Sequence, residues 1–221
     1  MGYGITIRVS GMYALFTRPE MKVERVSYDV ITPSAARGII EAVYWKPAIK
    51  WVIDKIHVLN EIQFTNIRRN EVEDGLSTDT AIRVMEGKNE LLYLPSIEKH
   101  VQRASMVLKN VDYVIEAHFD VVNKNADPAE EKKHYNIILR RLRDGQHFHA
   151  PCFGTREFAA KVEIIEDGQE TPQSPLKGER DFGWMLHDLD FSNPYDAKPR
   201  FFKAKMIDGV IDLRKIDEVR Q

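Results

Sequence analysis

The first residues alternate apolar and polar, with Ile5, Ile7 and Val9 on one side of the chain. A period of two is that of a strand with one face buried, so residues 2–9 are predicted as the first strand. Residues 10–30 are less regular, although "YALF" can continue a strand. The period then changes. In "TPSAARGIIEAVYWKP" the apolar residues Ala36, Ile39, Ile40 and Val43 recur at helical spacing. Thr32 has an N-cap side chain and Pro33 suits the first helical position. Pro47 cannot continue a helix, which is therefore predicted over residues 33–46. Residues 51–64, "WVIDKIHVLNEIQF", are expected as one long strand.

Residues 65–107 are mixed, and "EVEDGLSTDT" has the polarity and glycine of a loop. "MVLKNVDYVIEAHFDVV" carries the cleanest alternation. Val111, Tyr113, Ile115, Ala117, Phe119 and Val121 share one face, and Asp112, Glu116, His118 and Asp120 the other. A second helix follows in "EEKKHYNIILRRLRDG". Asp127 can cap it, Pro128 takes the first helical position and Glu130 the capping-box position. Its buried stripe is Tyr135, Ile138, Leu139 and Leu142, and Gly145 marks its end. "AAKVEIIE" (159–166) is a further strand, and residues 167–183 are a loop. Three strand-like pieces close the chain: "WMLHDLDF", "RFFKAKMI" and "GVIDLRKI".

The order over residues 1–166 is β-α-β-β-α-β, with 65–107 as an insertion. It predicts an α+β fold of the ferredoxin-like (RRM-like) kind, with two helices on one face of an antiparallel sheet. Residues 167–221 are expected as a small β-rich C-terminal domain. The other sheet face is open to a ligand. Many unrelated functions use this topology, so function has to come from side chains.

Composition narrows the classes. The 221 residues suffice for one large domain or two small ones. Hydrophobic content of 43% and charged content of 30% are those of a soluble globular protein. No apolar run approaches the ~20 residues of a membrane helix. The N-terminus lacks a signal peptide's apolar core, so a cytoplasmic protein without a membrane partner is expected. The single cysteine, Cys152, excludes an internal disulfide framework and a Cys-rich zinc site. A formal net charge of -2 argues against a bulk electrostatic binder of nucleic acid. It leaves room for a local basic groove, because charge is felt only within about 10 Å at ordinary salt.

Two helix rims carry candidate chemistry. His134 lies roughly 90° from the centre of its helix's buried stripe, at the boundary with solvent. Arg141 projects beside it and Lys133 lies further toward water. Tyr44 is similarly off-centre on the first helix, with Arg37 on its side. A solvated boundary histidine and a rim-packed tyrosine give the same patterns. In a ferredoxin-like fold the helices lie side by side, so these rims can face one another. Together they would suit metal-free RNA cleavage, in which a ribose 2'-hydroxyl attacks the adjacent phosphate. Neutral imidazole can take that proton near neutral pH. Lysine supplies a cation for the phosphoryl oxygens, and tyrosine can position the 2'-hydroxyl or move a proton.

Other signals are weaker. His118 on a strand's polar face suits a hydrogen-bonded role. His147 and His149 could chelate a metal, but no third ligand is evident. In "FGTREF", backbone amides and Arg156 could hold a phosphate, or form an ordinary turn. "KPRFFKAK", with Lys203, interleaves basic and aromatic residues as nucleic-acid grooves do, and as protected edge strands do. No Walker A motif, dinucleotide fingerprint or H-E-x-x-H is present.

Taken in order and spacing, "YALFTRPEMKVERVSYDVITPSAARGIIEAVYWKP", "VDYVIEAHF", "KKHYNIILRRL" and "CFGTREF" resemble the CRISPR-associated Cas-five-d family of the RAMP superfamily, from type I-C systems. The resemblance covers most of the first 165 residues. It implies a metal-independent endoribonuclease, without cofactor, that cuts precursor CRISPR RNA at the base of the repeat's stem-loop. It also implies a subunit that stays in the surveillance complex and holds the 5' handle of the guide. The family's catalytic tyrosine falls on Tyr44, and its lysine-histidine pair on Lys133 and His134. RNA contacts are expected from Arg37, Lys46, Arg141, Arg156 and Lys203. The rival readings are a guide-RNA-binding subunit that does not cut and a general nucleic-acid binder, with double-stranded DNA a further candidate partner.

Overall fold

The computed structural model describes residues 3–21, 23–73, 75–94, 97–122, 128–193, 196–216 and 219–220. In chain order the elements are β1 (Gly4–Ala14), α1 (Pro33–Val43), β2 (Ile49–Val58), β3 (Phe64–Val72), α2 (Thr78–Met85) and β4 (His100–Val121). They continue with α3 (Pro128–Arg143), β5 (Lys161–Ile165), β6 (Glu179–Asp190), β7 (Lys198–Ile207), β8 (Val210–Asp212) and β9 (Val219–Arg220). The strands form one nine-stranded sheet in the order β5-β1-β4-β2-β8-β7-β6, with β3 on β4 and β9 on β7. Every pairing between these strands is antiparallel.

The alternation read in the sequence sets the layers. Ile5, Ile7 and Val9 of β1 join Tyr113, Ile115, Ala117 and Phe119 of β4 in the core beneath the helices. On the opposite face the charged side chains of these strands pair among themselves. Arg8 holds Asp112 with two hydrogen bonds of 3.0 and 2.6 Å. Lys55 and His57 share Glu116, and His118 bonds Asp54 at 2.8 Å. That face is an ion-paired surface rather than an array of free cations.

Helix α1 begins where the sequence places it. Thr32 Oγ1 accepts the Ala35 N–H, and Ala36, Ile39, Ile40 and Val43 are buried. It ends at Val43 rather than Lys46, because its last carbonyls are capped by other parts of the chain. Ala42 O accepts from the N–H groups of Phe148 and His149. Val43 O accepts from Arg141 Nη1 at 2.7 Å. A helix leaves its final carbonyls unpartnered, and here tertiary donors take them without a C-terminal glycine. In α3 the predicted stripe is buried at Ile138 and Leu142, while Tyr135 and Leu139 pack partly exposed. The cap proposed at Asp127 lies outside the described residues.

The strand expected over 51–64 is two strands laid end to end. β2 pairs residues 113–121 of β4, and β3 pairs residues 100–108. The interruption sits opposite Asn110, whose φ of 52° breaks the ladder and whose carbonyl accepts from Asn60 Nδ2. The expected loop "EVEDGLSTDT" contains the end of β3 and the start of α2, capped by Ser77. The loop expected over 167–183 gives way to β6 at Glu179. β8 pairs β2, so the last strands extend the sheet that carries the helices. Among the described residues, no helix is long and apolar enough to cross a membrane.

Strand direction decides which helix ends meet. Ile49 at the start of β2 pairs Val121 at the end of β4. The chain enters β2 soon after α1 ends, and enters α3 soon after leaving β4. The C-terminus of α1 and the N-terminus of α3 therefore lie over the same end of the sheet.

Candidate active site

Tyr44 is the first residue past α1. Its backbone is extended (φ -152°, ψ 119°), and its N–H still donates to Ile40 O. Its own carbonyl accepts from Trp51 Nε1 at 2.9 Å, and Trp51 is buried in the core. The backbone of Tyr44 is thus fixed at both ends, and the Arg141 guanidinium lies 5.2 Å from its ring centroid. Tyr44 is only 2% exposed, so its position is fixed by packing.

The hydroxyl of Tyr44 meets His134 Nδ1 at 2.7 Å. Phe119 of β4 packs edge-on against the imidazole, with ring centroids 6.4 Å apart. Among the described residues, His134 Nε2 has no hydrogen-bond partner, and the side chain is half-buried. This is the arrangement of a positioned acid-base group. One nitrogen is anchored and the other is available.

The anchor offers two tautomers. With the Nδ1–H donating to Tyr44 Oη, Nε2 is bare and can take a proton. With Tyr44 donating to Nδ1, Nε2 carries hydrogen and donates a hydrogen bond; only the imidazolium, with both nitrogens protonated, has a proton to give. Burial lowers the His134 pKa below its ordinary value of 6.5, and Lys133 and Lys46 lower it further, against an opposing effect of Glu130. The imidazole is therefore neutral near pH 7. Burial raises the Tyr44 pKa above 10, against the effect of Arg141, so its phenol stays protonated.

The structure brings Tyr44, His134 and Arg141 together, with Lys133 and Lys46 close enough to act on His134 electrostatically. Lys133 and Lys46 are exposed. The other expected RNA contacts lie apart. Arg37 is two turns back along α1, roughly 10 Å from Tyr44 at 1.5 Å per residue. It pairs with Asp188 at 2.7 Å and with Glu41 at 3.8 Å, which ties α1 to β6. Lys203 is exposed on β7, opposite Trp184 of β6. Arg156 is exposed on the loop before β5. In that loop Gly154 has a φ of 83°, and a Cβ there would sit 1.9 Å from Leu15 O, so the turn of "FGTREF" requires glycine.

Sequence reasoning missed Trp51 and Phe119 as the groups that hold Tyr44 and His134. Both read as ordinary core positions, and no local pattern marks their contacts. Arg141 was placed beside His134, but its bond to Val43 O depends on where α1 ends. Among the described residues, no three His, Cys, Asp or Glu side chains gather where they could hold a metal ion.

Comparisons with known proteins bear on the family of the chain. Residues 4–214 match the family described as CRISPR-associated protein (Cas_Cas5). The chain is 48% identical over 217 residues to the "CRISPR pre-crRNA endoribonuclease Cas5d" of Mannheimia succiniciproducens, covering 96% of each. It is 40% identical over 187 residues to the protein of that name from Thermus thermophilus, covering 85% of this chain and 73% of the other. A solved structure described as "Crystal Structure of CRISPR-associated Protein" matches with a TM-score of 0.68 and 28% identity, covering 100% of this chain and 97% of that one.

Proposed function

This chain belongs to the CRISPR-associated Cas5 family, in its Cas5d branch, and we propose that it is a metal-independent endoribonuclease that cuts precursor CRISPR RNA within the repeat. The observation that carries the proposal is the 2.7 Å contact between Tyr44 Oη and His134 Nδ1, with Nε2 left available. The family's known activity and this geometry support each other.

Cleavage proceeds by attack of the ribose 2'-oxygen on the adjacent phosphorus. The O2'–P bond forms and the P–O5' bond breaks, leaving a 2',3'-cyclic phosphate and a free 5'-hydroxyl. Neutral His134, with Nε2 bare, takes the 2'-hydroxyl proton and becomes imidazolium, while water protonates the leaving 5'-oxygen. In the alternative acid role the imidazolium, not the neutral ring, gives its Nε2 proton to that oxygen and water takes the 2'-hydroxyl proton. Tyr44 holds the tautomer and orientation of the ring. Lys133 stabilises negative charge on the phosphoryl oxygens. Such acid-base assistance is worth about 10²–10⁴-fold in rate.

The ferredoxin-like reading of the fold rests on the β5-β1-β4-β2 order with α1 and α3 as its crossovers. On that reading residues 65–107 are an insertion in the domain, and residues 167–221 a small C-terminal β-rich appendage. The chain would act in the cytoplasm and stay bound to its product as the 5'-handle subunit of a type I-C surveillance complex. The basic residues Arg156 and Lys203 lie outside the Tyr44–His134 contact and are exposed, which leaves them available to hold a retained RNA.

The test is incubation of the purified chain with its own repeat RNA in excess EDTA, beside His134→Ala. One cut that persists in EDTA, yields a cyclic phosphate and falls by about 10²–10⁴-fold in the variant is expected. Binding without cutting would leave the non-catalytic handle-binding subunit. A metal requirement would overturn the mechanism.

A further inference from the structure

The extended backbone at Tyr44 has a second consequence. Successive side chains of an extended chain point to opposite sides. Tyr44 turns inward to His134, and Trp45 turns outward and is 53% exposed. Trp45 lines a groove of about 880 Å³ between the outer side of α1 and the loop that follows α3. Phe148, 75% exposed, and His149 stand on its other side, with ring centroids 4.4 Å apart and planes at 67°. Their N–H groups bond Ala42 O at 2.8 and 3.1 Å, so this wall is fastened to the last turn of α1. The floor includes Gly38 and Ala42, and a Cβ at Gly38 would meet nothing within 4 Å. Arg156 is at the rim and enters no ion pair among the described residues.

Large aromatic side chains exposed around one open groove are costly in water unless something covers them. Three rings beside a small-residue floor, with one available guanidinium, match the way single-stranded nucleic acid is held. Bases stack on rings, and the backbone phosphate meets the cation. The groove starts one residue along the chain from the cutting seam, because Trp45 follows Tyr44.

We propose that this groove binds an unpaired ribonucleotide next to the scissile phosphate, its base stacked on Trp45 against the Phe148 and His149 wall and its phosphate on Arg156. The proposal rests on the reading of the chain as an RNA endonuclease, and it assigns Trp45 and Phe148 to substrate binding rather than to chemistry.

Affinity is measured with the full chain and repeat RNA carrying a 2'-deoxy sugar at the cut, so that the RNA stays intact. Trp45→Ala is expected to weaken binding by about 5- to 150-fold, the range of one lost base-aromatic stack. Trp45→Phe recovers most of that loss. Trp45→Ala keeps the wild-type melting curve, a separation that a distorted fold would not give. An abasic ribonucleotide is then placed at each flanking position in turn. One position should weaken the wild type by the same factor as Trp45→Ala and add nothing in that variant.

Unchanged affinity in Trp45→Ala overturns the subsite, as do abasic effects that persist in full in the variant. A groove built for a partner protein would give the first of these results. If the wild type shows the paired dependence but does not cut RNA, the subsite stands and the endonuclease reading falls. If the chain cuts and Trp45→Ala binds and cuts like wild type, the subsite falls and the endonuclease reading stands. A chain that does not bind the RNA at all removes both.

Discussion

On one side of the last turn of α1, Tyr44 is 2% exposed and its hydroxyl is bonded to His134. On the other side, Trp45 is 53% exposed and opens onto a groove. Two adjacent aromatic residues thus sit on opposite terms. The inner side is complete without RNA: Trp51 fixes the tyrosine carbonyl, Arg141 covers the ring and Phe119 backs the histidine. Such support lets an acid-base group meet its substrate without rearranging first. The outer side keeps its rings uncovered, as a surface does that gains its packing from a ligand. The proposed chemistry and the proposed grip are separated by a single peptide unit.

The strongest way to break this contrast is at Tyr44. Tyr44→Ala empties a core position and should cost about 3–5 kcal/mol of folding stability. Trp45→Ala next to it should stay within about 0.5 kcal/mol, as exposed substitutions do. Tyr44→Phe keeps the packing and removes only the hydroxyl, so it should lower the cleavage rate while leaving the melting curve close to wild type. Chemical denaturation of the three variants checks the difference. Equal losses at residues 44 and 45 would show that the two sides are not distinct.

A smaller effect is expected at Arg141. Arg141→Met removes its bond to Val43 O and its cation from the Tyr44 ring. The loss should be near about 1.5 kcal/mol, the low end for a hydrogen bond to a charged group, because the side chain is partly exposed. A loss confined to stability, with cleavage at saturation unchanged, would make Arg141 a support for α1 alone. A fall in rate as well would show that it also holds Tyr44 in place.

The smallest signal is in pH. The folded-state pKa of His134 lies below 6.5, so the unfolded chain binds its proton first as pH falls. The histidine's share of stability is present above about pH 6.5 and is lost as pH falls through the folded pKa, after which it is flat. Lys133→Ala removes a nearby positive charge and should move the His134 titration upward, as followed by the imidazole proton resonances. A histidine that titrates at its ordinary value in both proteins would mean that it is more open to water than the seam implies.

Much of this arrangement could be read along the chain, residue by residue. Thr32 and Pro33 start α1, and the positions 36, 39, 40 and 43 mark its buried side, because caps and helical period are local properties. The alternation at residues 111–121 likewise specified which face of β4 enters the core. His134 at the edge of its helix and Tyr44 at the edge of the other were visible as rim residues. The end of α1 was not visible, because its final carbonyls are taken by Arg141, Phe148 and His149, roughly one hundred residues away. The break between β2 and β3 was hidden for a related reason: it answers to the positive φ of Asn110 in the strand alongside.

The sequence by itself determined the elements, their buried faces and the residue types available for chemistry, since these follow from backbone propensity and hydrophobic period. Only the tertiary structure decided that Tyr44 and His134 meet and that Trp45 does not join them. That outcome depends on strand order, on which ends of two helices share one end of a sheet, and on distant donors that stop α1 one residue before the tyrosine. Those are contacts between segments far apart in the chain, and no local period encodes them.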